Sequence, residues 1–138
     1  MNFGYIRSMA ATPKVRVADV DFNKISVLRA ISAAKESGAA LLVLPELCLT
    51  GYTCGDLFYS GVLLSAAKRA LKEIAESTAE SAMLIFVGLP IRKDGLIYNC
   101  AAALNRGRVL AFVPKTFLPD YWEYCERRYF ASCPEKND

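Results

Sequence analysis

A run of eight apolar residues at 82–89, Ala82-Met83-Leu84-Ile85-Phe86-Val87-Gly88-Leu89, most limits the folds open to this chain. It shows no polar alternation, so as a strand it needs cover on both faces. A second apolar run, 40–44, ends at Pro45, and a stretch of β-branched, aromatic and small residues at 3–12 ends at Pro13. Between these runs the pattern changes to that of helices. Asp19 to Asn23 supply capping chemistry for a helix reaching about Ser37, with Gly38 as its stop. On it, Phe22, Ile25, Leu28 and Ile31 recur at steps of three and predict one apolar face. After a loop rich in Gly, Thr and Cys, a second helix is predicted near 60–77, with Leu63, Ala67, Ala70, Leu71 and Ile74 inward. Lys93-Asp94-Gly95 is a turn, and residues 96–104 and 108–113 form a hairpin closed by Asn105-Arg106-Gly107.

Strand, helix, strand, helix, strand and hairpin describe an α/β domain with a mixed sheet and helices packed on one or both faces. The first strand is followed neither by a G-x-G-x-x-G nor by a P-loop pattern, so a dinucleotide or nucleotide-phosphate cradle of those kinds is not expected there. At 138 residues, with 54% hydrophobic and 22% charged residues, the chain can bury a core of its own. The net charge of +3 is carried by scattered lysines and arginines, which does not suit a nucleic-acid surface. No apolar run approaches the roughly 20 residues that span a bilayer, and no secretory leader is visible, so a cytoplasmic protein away from membranes is expected. Cys48, Cys54, Cys100, Cys125 and Cys133 are irregularly spaced, and there is no histidine. Inert reduced thiols fit this better than a metal site.

Histidine's absence bears on chemistry too, because any nucleophile here needs another base. Glu46 is the candidate: it follows a strand and Pro45, at the C-terminal strand end where open α/β sheets place their sites. Lys115 likewise follows a strand and a proline, Pro114, and Glu126 interrupts a later aromatic segment. If the strand ends lie side by side, Glu46 suits a general base and Lys115 a fixed positive donor toward a developing oxyanion. The same pattern is compatible with solvated loop charges, and Glu126 with a local ion pair to Arg127 or Arg128.

Leu44-Pro45-Glu46-Leu47 with Thr50-Gly51-Tyr52, and later Pro114-Lys115-Thr116, resemble the nitrilase or carbon–nitrogen hydrolase superfamily. The longer stretch Thr50-Gly51-Tyr52-Thr53-Cys54-Gly55-Asp56-Leu57-Phe58, with Lys115-Thr116-Phe117-Leu118-Pro119 and the segment Tyr124 to Phe130, is similar more narrowly to the glutaminase domain of bacterial glutamine-dependent NAD⁺ synthetases. The likeness runs from about Phe3 to Phe130.

The resemblance implies a Glu-Lys-Cys triad on an αββα sandwich, of which residues 1–138 would be the first half, a single partial domain. Glu46 would be the general base, Lys115 the oxyanion stabiliser and Glu126 a second glutamate that holds the lysine and substrate. Tyr52 and Tyr121 would line the glutamine pocket, ordinary packing being the alternative for both. The nucleophilic cysteine lies beyond the lysine in that family, and none of the five cysteines here occupies its position. The isolated chain is therefore expected not to hydrolyse glutamine. The resemblance further implies a synthetase domain in the same parent protein, using ATP and Mg²⁺ to amidate nicotinic acid adenine dinucleotide, while this domain needs no cofactor and no metal. A homo-oligomer is expected, since half a sandwich leaves a sheet face and edges open. The alternatives are another carbon–nitrogen hydrolase, such as an amidase or carbamoylase, and a non-catalytic nitrilase-like module that serves binding or assembly.

Overall fold

The computed structural model describes residues 4–133. Its sheet has five strands in sequential order: β1 (Ser8–Ala10), β2 (Leu41–Val43), β3 (Leu84–Lys93), β4 (Leu96–Asn105) and β5 (Arg108–Pro114). The first three pair in parallel and the last two add antiparallel, so the sheet is mixed as the pattern predicts. The parallel pairs are joined by α1 (Val20–Glu36) and α2 (Gly61–Ser77). Both crossovers step the same way along the sheet. The right-handed rule then places both helices on one face, where they touch each other and α2 lies against β3 and β5. Leu42, Ile85, Val87, Leu89, Ala102 and Leu104, all fully buried, form the sheet side of that core. Among the described residues no helix covers the opposite face.

The apolar run at 82–89 becomes β3, the central strand of the five. It continues to Lys93, well past the expected end, because β4 supplies a partner as far as the Lys93–Leu96 pair. Two tight turns close this meander. Asp94-Gly95 and Arg106-Gly107 all have positive φ, at 51°, 79°, 46° and 77°, which fits two-residue hairpins whose twist matches the strands. β1 is shorter than residues 3–12, since its neighbour β2 offers only three pairing residues before the chain turns away. Position 3 and the polar end at 135–138 lie outside the described residues.

The expected face of α1 needs correction. Its buried residues are Val20, Asn23, Val27, Ile31 and Ala34, whereas Ile25 is 48% exposed. A row at steps of three drifts around a helix of 3.6 residues per turn, so Phe22 and Ile31 end on opposite sides. Alternating steps of three and four keep to one stripe, and that stripe includes a polar residue. The fully buried Asn23 donates from Nδ2 to the Arg16 carbonyl at 2.7 Å and the Leu49 carbonyl at 3.1 Å, and its Oδ1 accepts from the Arg16 amide at 2.7 Å. These bonds tie α1 to the loop after β2, the loop that carries Glu46.

Candidate active site

That loop begins where β2 ends. The Leu44 amide bonds to the Phe86 carbonyl at 3.0 Å and the Leu49 amide to the Gly88 carbonyl at 3.3 Å, so residues 45–48 arch over β3. They do so at Gly88. A β-carbon there would lie 2.3 Å from the Pro45 carbonyl oxygen and 2.6 Å from the Glu46 α-carbon, so only glycine lets the loop lie this close. Leu47 takes a left-handed conformation, φ 52°, and is fully buried. Its neighbour Glu46 is thereby turned outward. The Glu46 side chain is 47% exposed, so the strand-end acid is not the buried group of the site.

Lys115 arrives from the other half of the sheet. It directly follows β5, and its amide donates to the Asn99 carbonyl at 2.8 Å, extending the β4–β5 ladder by one bond. Its Nζ then meets both acids, Glu46 Oε2 at 3.0 Å and Glu126 Oε1 at 2.8 Å. Glu46 and Lys115 thus meet in the structure, although they are 69 residues apart, a proximity that the sequence left open. Glu126 is only 3% exposed and opens a single 3-10 turn, Glu126–Arg128, whose position is set by the Glu126 amide bonding to the Pro119 carbonyl. A local ion pair is not what Glu126 makes. Arg128 turns away to Asp56 at 2.9 Å, and Glu126 faces Lys115 and the Tyr52 hydroxyl, which donates to the same Oε1 at 2.8 Å. Glu126 Oε2 is buried and finds no hydrogen-bond partner among the described residues.

The electrostatics follow from one cation between two carboxylates. Burial pulls the Lys115 ammonium down, but the hydrogen bonds and charges of Glu126 and Glu46 outweigh it and leave it above its ordinary value. Lys115 therefore stays protonated and cannot serve as a base. Of its three N–H donors two are engaged, which leaves one for a further acceptor. Burial, then the neighbouring Glu126, push the Tyr52 phenol up, so it too remains a donor. Replacing Tyr52 by phenylalanine removes one of the two donors on a buried carboxylate. Since a hydrogen bond to a charged group contributes about 1.5–3 kcal/mol, a loss of about 2 kcal/mol is expected in urea unfolding. Unchanged stability would show that Tyr52 serves Glu126 in no structural way.

Tyr52 and Tyr121 are not brought together. Tyr52 borders a cavity of about 210 Å³ with Glu126, Phe58 and Tyr129. Tyr121 borders a larger, open cavity of about 1020 Å³, with Lys115, Arg127 and Cys133 among its lining. Tyr124 bridges the two tyrosines, edge to face with each. Cys48, Cys54 and Cys100 are buried, and Cys48 and Cys54 donate to backbone carbonyls. Burial raises the Cys48 and Cys100 thiols to about 11. Among the described residues no thiol hydrogen-bonds to Glu46, and no group of three His, Cys, Asp or Glu could hold a metal ion. One site residue has no counterpart in the sequence reading: Asn99, 3% exposed, whose Nδ2 donates to Glu46 Oε2 at 2.8 Å. The signal for it was an amide in the otherwise apolar run of β4.

Against known proteins, the carbon–nitrogen hydrolase family profile matches residues 6–132. The glutamine-dependent NAD(+) synthetase of Mycobacterium tuberculosis is 40% identical over 128 residues, which is 93% of this chain and 19% of that protein. Among solved structures, a glutamine-dependent NAD(+) synthetase from Cytophaga hutchinsonii superposes with TM-score 0.90 at 35% identity, over 95% of this chain and 22% of that one. An amidase from Nesterenkonia shares the fold, with TM-score 0.77 at 24% identity over 94% of this chain and 49% of its own. The chain thus spans about a fifth of the length of the synthetases it matches.

Proposed function

The chain belongs to the carbon–nitrogen hydrolase family, and from that premise we propose that it forms the base-and-lysine part of a glutamine-hydrolysing site within a longer protein, with residues 1–138 as a single partial domain. The observation that carries this is the placement of Lys115 between Glu46 and Glu126 with one N–H to spare. Among the described residues the hydrogen-bond partners of Glu46 sit on Oε2, which leaves Oε1 as an acceptor. The nucleophilic thiol comes from outside these residues. Glu46 takes the thiol proton, and the thiolate sulfur attacks the amide carbon. The free N–H of Lys115 receives the oxyanion that forms. Glu46 returns its proton to the departing nitrogen, releasing ammonia and leaving a thioester. Water then attacks the thioester carbonyl with Glu46 again as base, freeing glutamate and the thiol. In this reading Tyr121 borders the glutamine path in the cavity that Lys115 lines. Tyr52 borders it from the separate cavity beside Glu126, with Tyr124 between the two, and Glu126 fixes the lysine.

Identity of 40% to a glutamine-dependent NAD(+) synthetase supports glutamine as the amide and the making of NAD(+) as the use of its ammonia. Nicotinic acid adenine dinucleotide as the acceptor is part of the same proposal. The synthetase part, with ATP and Mg²⁺, would then lie elsewhere in the parent protein. A cytoplasmic location and a homo-oligomer belong to the same reading, the second supported by the exposed apolar residues Leu110, Phe112 and Val113 of β5. No helix among the described residues is long and apolar enough to cross a membrane.

The test is ammonia release from glutamine by the longer protein, with Glu46→Gln as the variant. Loss of a general base is expected to lower kcat by about 10²–10⁴-fold with KM little changed. A variant as fast as the parent would remove Glu46 from the chemistry, and a parent inert toward glutamine would end the glutamine reading.

A further inference from the structure

Asn99 touches both members of the Glu46–Lys115 pair. Its side chain donates to Glu46 Oε2 at 2.8 Å, and its backbone carbonyl accepts the Lys115 amide at 2.8 Å. Its place follows from the sheet register. Gly88, under the Glu46 loop, pairs with Ala101 on β4, and Asn99 is two residues along on the same face. With 3% exposure, the Asn99 carboxamide points at the carboxylate from within the protein, while Lys115 approaches the same oxygen as a cation.

From this we infer that Asn99 is a positioning residue for the base, the group that decides which Glu46 oxygen acts. The inference rests on the hydrolytic reading above. A carboxylate held by one donor can still turn about its last bond. A second donor on the same oxygen, from another direction, fixes its plane and leaves Oε1 facing outward. A neutral amide does this without adding a second cation, which would drain the basicity the step requires. The two Asn99 contacts also make one residue the spacer between base and lysine, so the distance between them is set by β4 rather than by the mobility of either side chain.

The experiment uses the longer protein with Asn99→Ala and Asn99→Asp, assayed on glutamine and on a short aliphatic amide. Both variants are expected to lose kcat about 10–100-fold, the value of a hydrogen bond to a charged group, while KM stays within about threefold. A residue that merely stabilised the fold would lower the active fraction and leave the turnover of each active site unchanged. A parental kcat per active site, counted by the acyl-enzyme burst, in a folded variant therefore overturns the inference. If the parent cleaves the aliphatic amide but not glutamine, the substrate reading fails and the Asn99 comparison is made on that amide. A parent that cleaves neither overturns both. Should both variants fail to fold, a crystal structure of the parent decides: an Asn99 carboxamide beyond hydrogen-bond reach of Glu46 overturns the proposal, and one within reach on the oxygen shared with Lys115 upholds it.

Discussion

Lys115→Met in the longer protein is expected to cost both stability and turnover, and for separable reasons. The substitution keeps an unbranched apolar stem and removes the cation. Glu126, 3% exposed and already carrying one unpartnered oxygen, is then left with only the Tyr52 hydroxyl. Removing one member of a buried pair costs about 3–5 kcal/mol. Because the Lys115 side chain is 29% exposed, the lower end, about 3 kcal/mol in urea unfolding, is expected. Turnover is expected to fall by about 10²–10³-fold through loss of the oxyanion donor. Adding Glu126→Gln separates the two effects. A neutral amide needs no cation, so part of the stability returns while the rate does not. A double variant as unstable as Lys115→Met would show that the buried charge was not the cause.

The same pair predicts a pH dependence. In the folded protein burial lowers the Lys115 ammonium, the two glutamates raise it more, and the net value lies above the ordinary 10.5. A group raised on folding contributes fully below its unfolded value and loses that contribution as pH rises through its folded value. The stability difference between the parent and Lys115→Met should therefore be flat from about pH 7 to 9 and shrink only above about 10.5. A difference that fades below pH 9 would contradict the pairing.

The second large effect is expected from Gly88→Ala. The added carbon would lie 2.3 Å from the Pro45 oxygen, 2.5 Å from the Leu47 nitrogen and 2.6 Å from the Glu46 α-carbon. All three are backbone atoms, so no rotamer relieves the overlap and the loop itself must lift. Overpacking costs typically about 1–3 kcal/mol, and the backbone contacts here point to the upper end. Lifting the loop also carries Glu46 away from Lys115 and Asn99. Displacement of a reacting group by about 1 Å can cost about 10²-fold, so a loss of that size in kcat is expected beside the lowered melting temperature. A variant with parental melting temperature and rate would mean that the loop does not rest on Gly88.

Much of this was legible beforehand, for local reasons. Glu46 and Lys115 stood out because each follows a proline at the end of an apolar run, and the two turns because Lys93-Asp94-Gly95 and Asn105-Arg106-Gly107 set polar residues and a glycine between strand-like runs. What was not legible depends on distant partners. The apolar run ends at Leu89, just before Pro90, yet β3 runs through that proline. β2 has already ended beside Phe86, so nothing on that side requires the amide hydrogen that proline lacks. Asn99 looks like an irregularity in an apolar strand until the register of β4 on β3 brings it beneath the Glu46 loop. Glu126 stood out as a charge in an aromatic segment, but its role came only from the resemblance, since its partners are Lys115 on the far side of a loop and Tyr52, 74 residues earlier.

The sheet's change from parallel to antiparallel pairing also has a kinetic meaning. The β3–β4–β5 meander closes through two-residue turns, whereas β1 and β2 join only across whole helices. Short closures cost less chain entropy and form sooner. Asn99 and Lys115 thus ride on the part of the chain able to assemble first, and Glu46 on the part that must dock onto it. The carboxylate's arrival at the lysine becomes a late event of folding, so a probe of that contact would time the completion of the domain as well as the readiness of its chemistry.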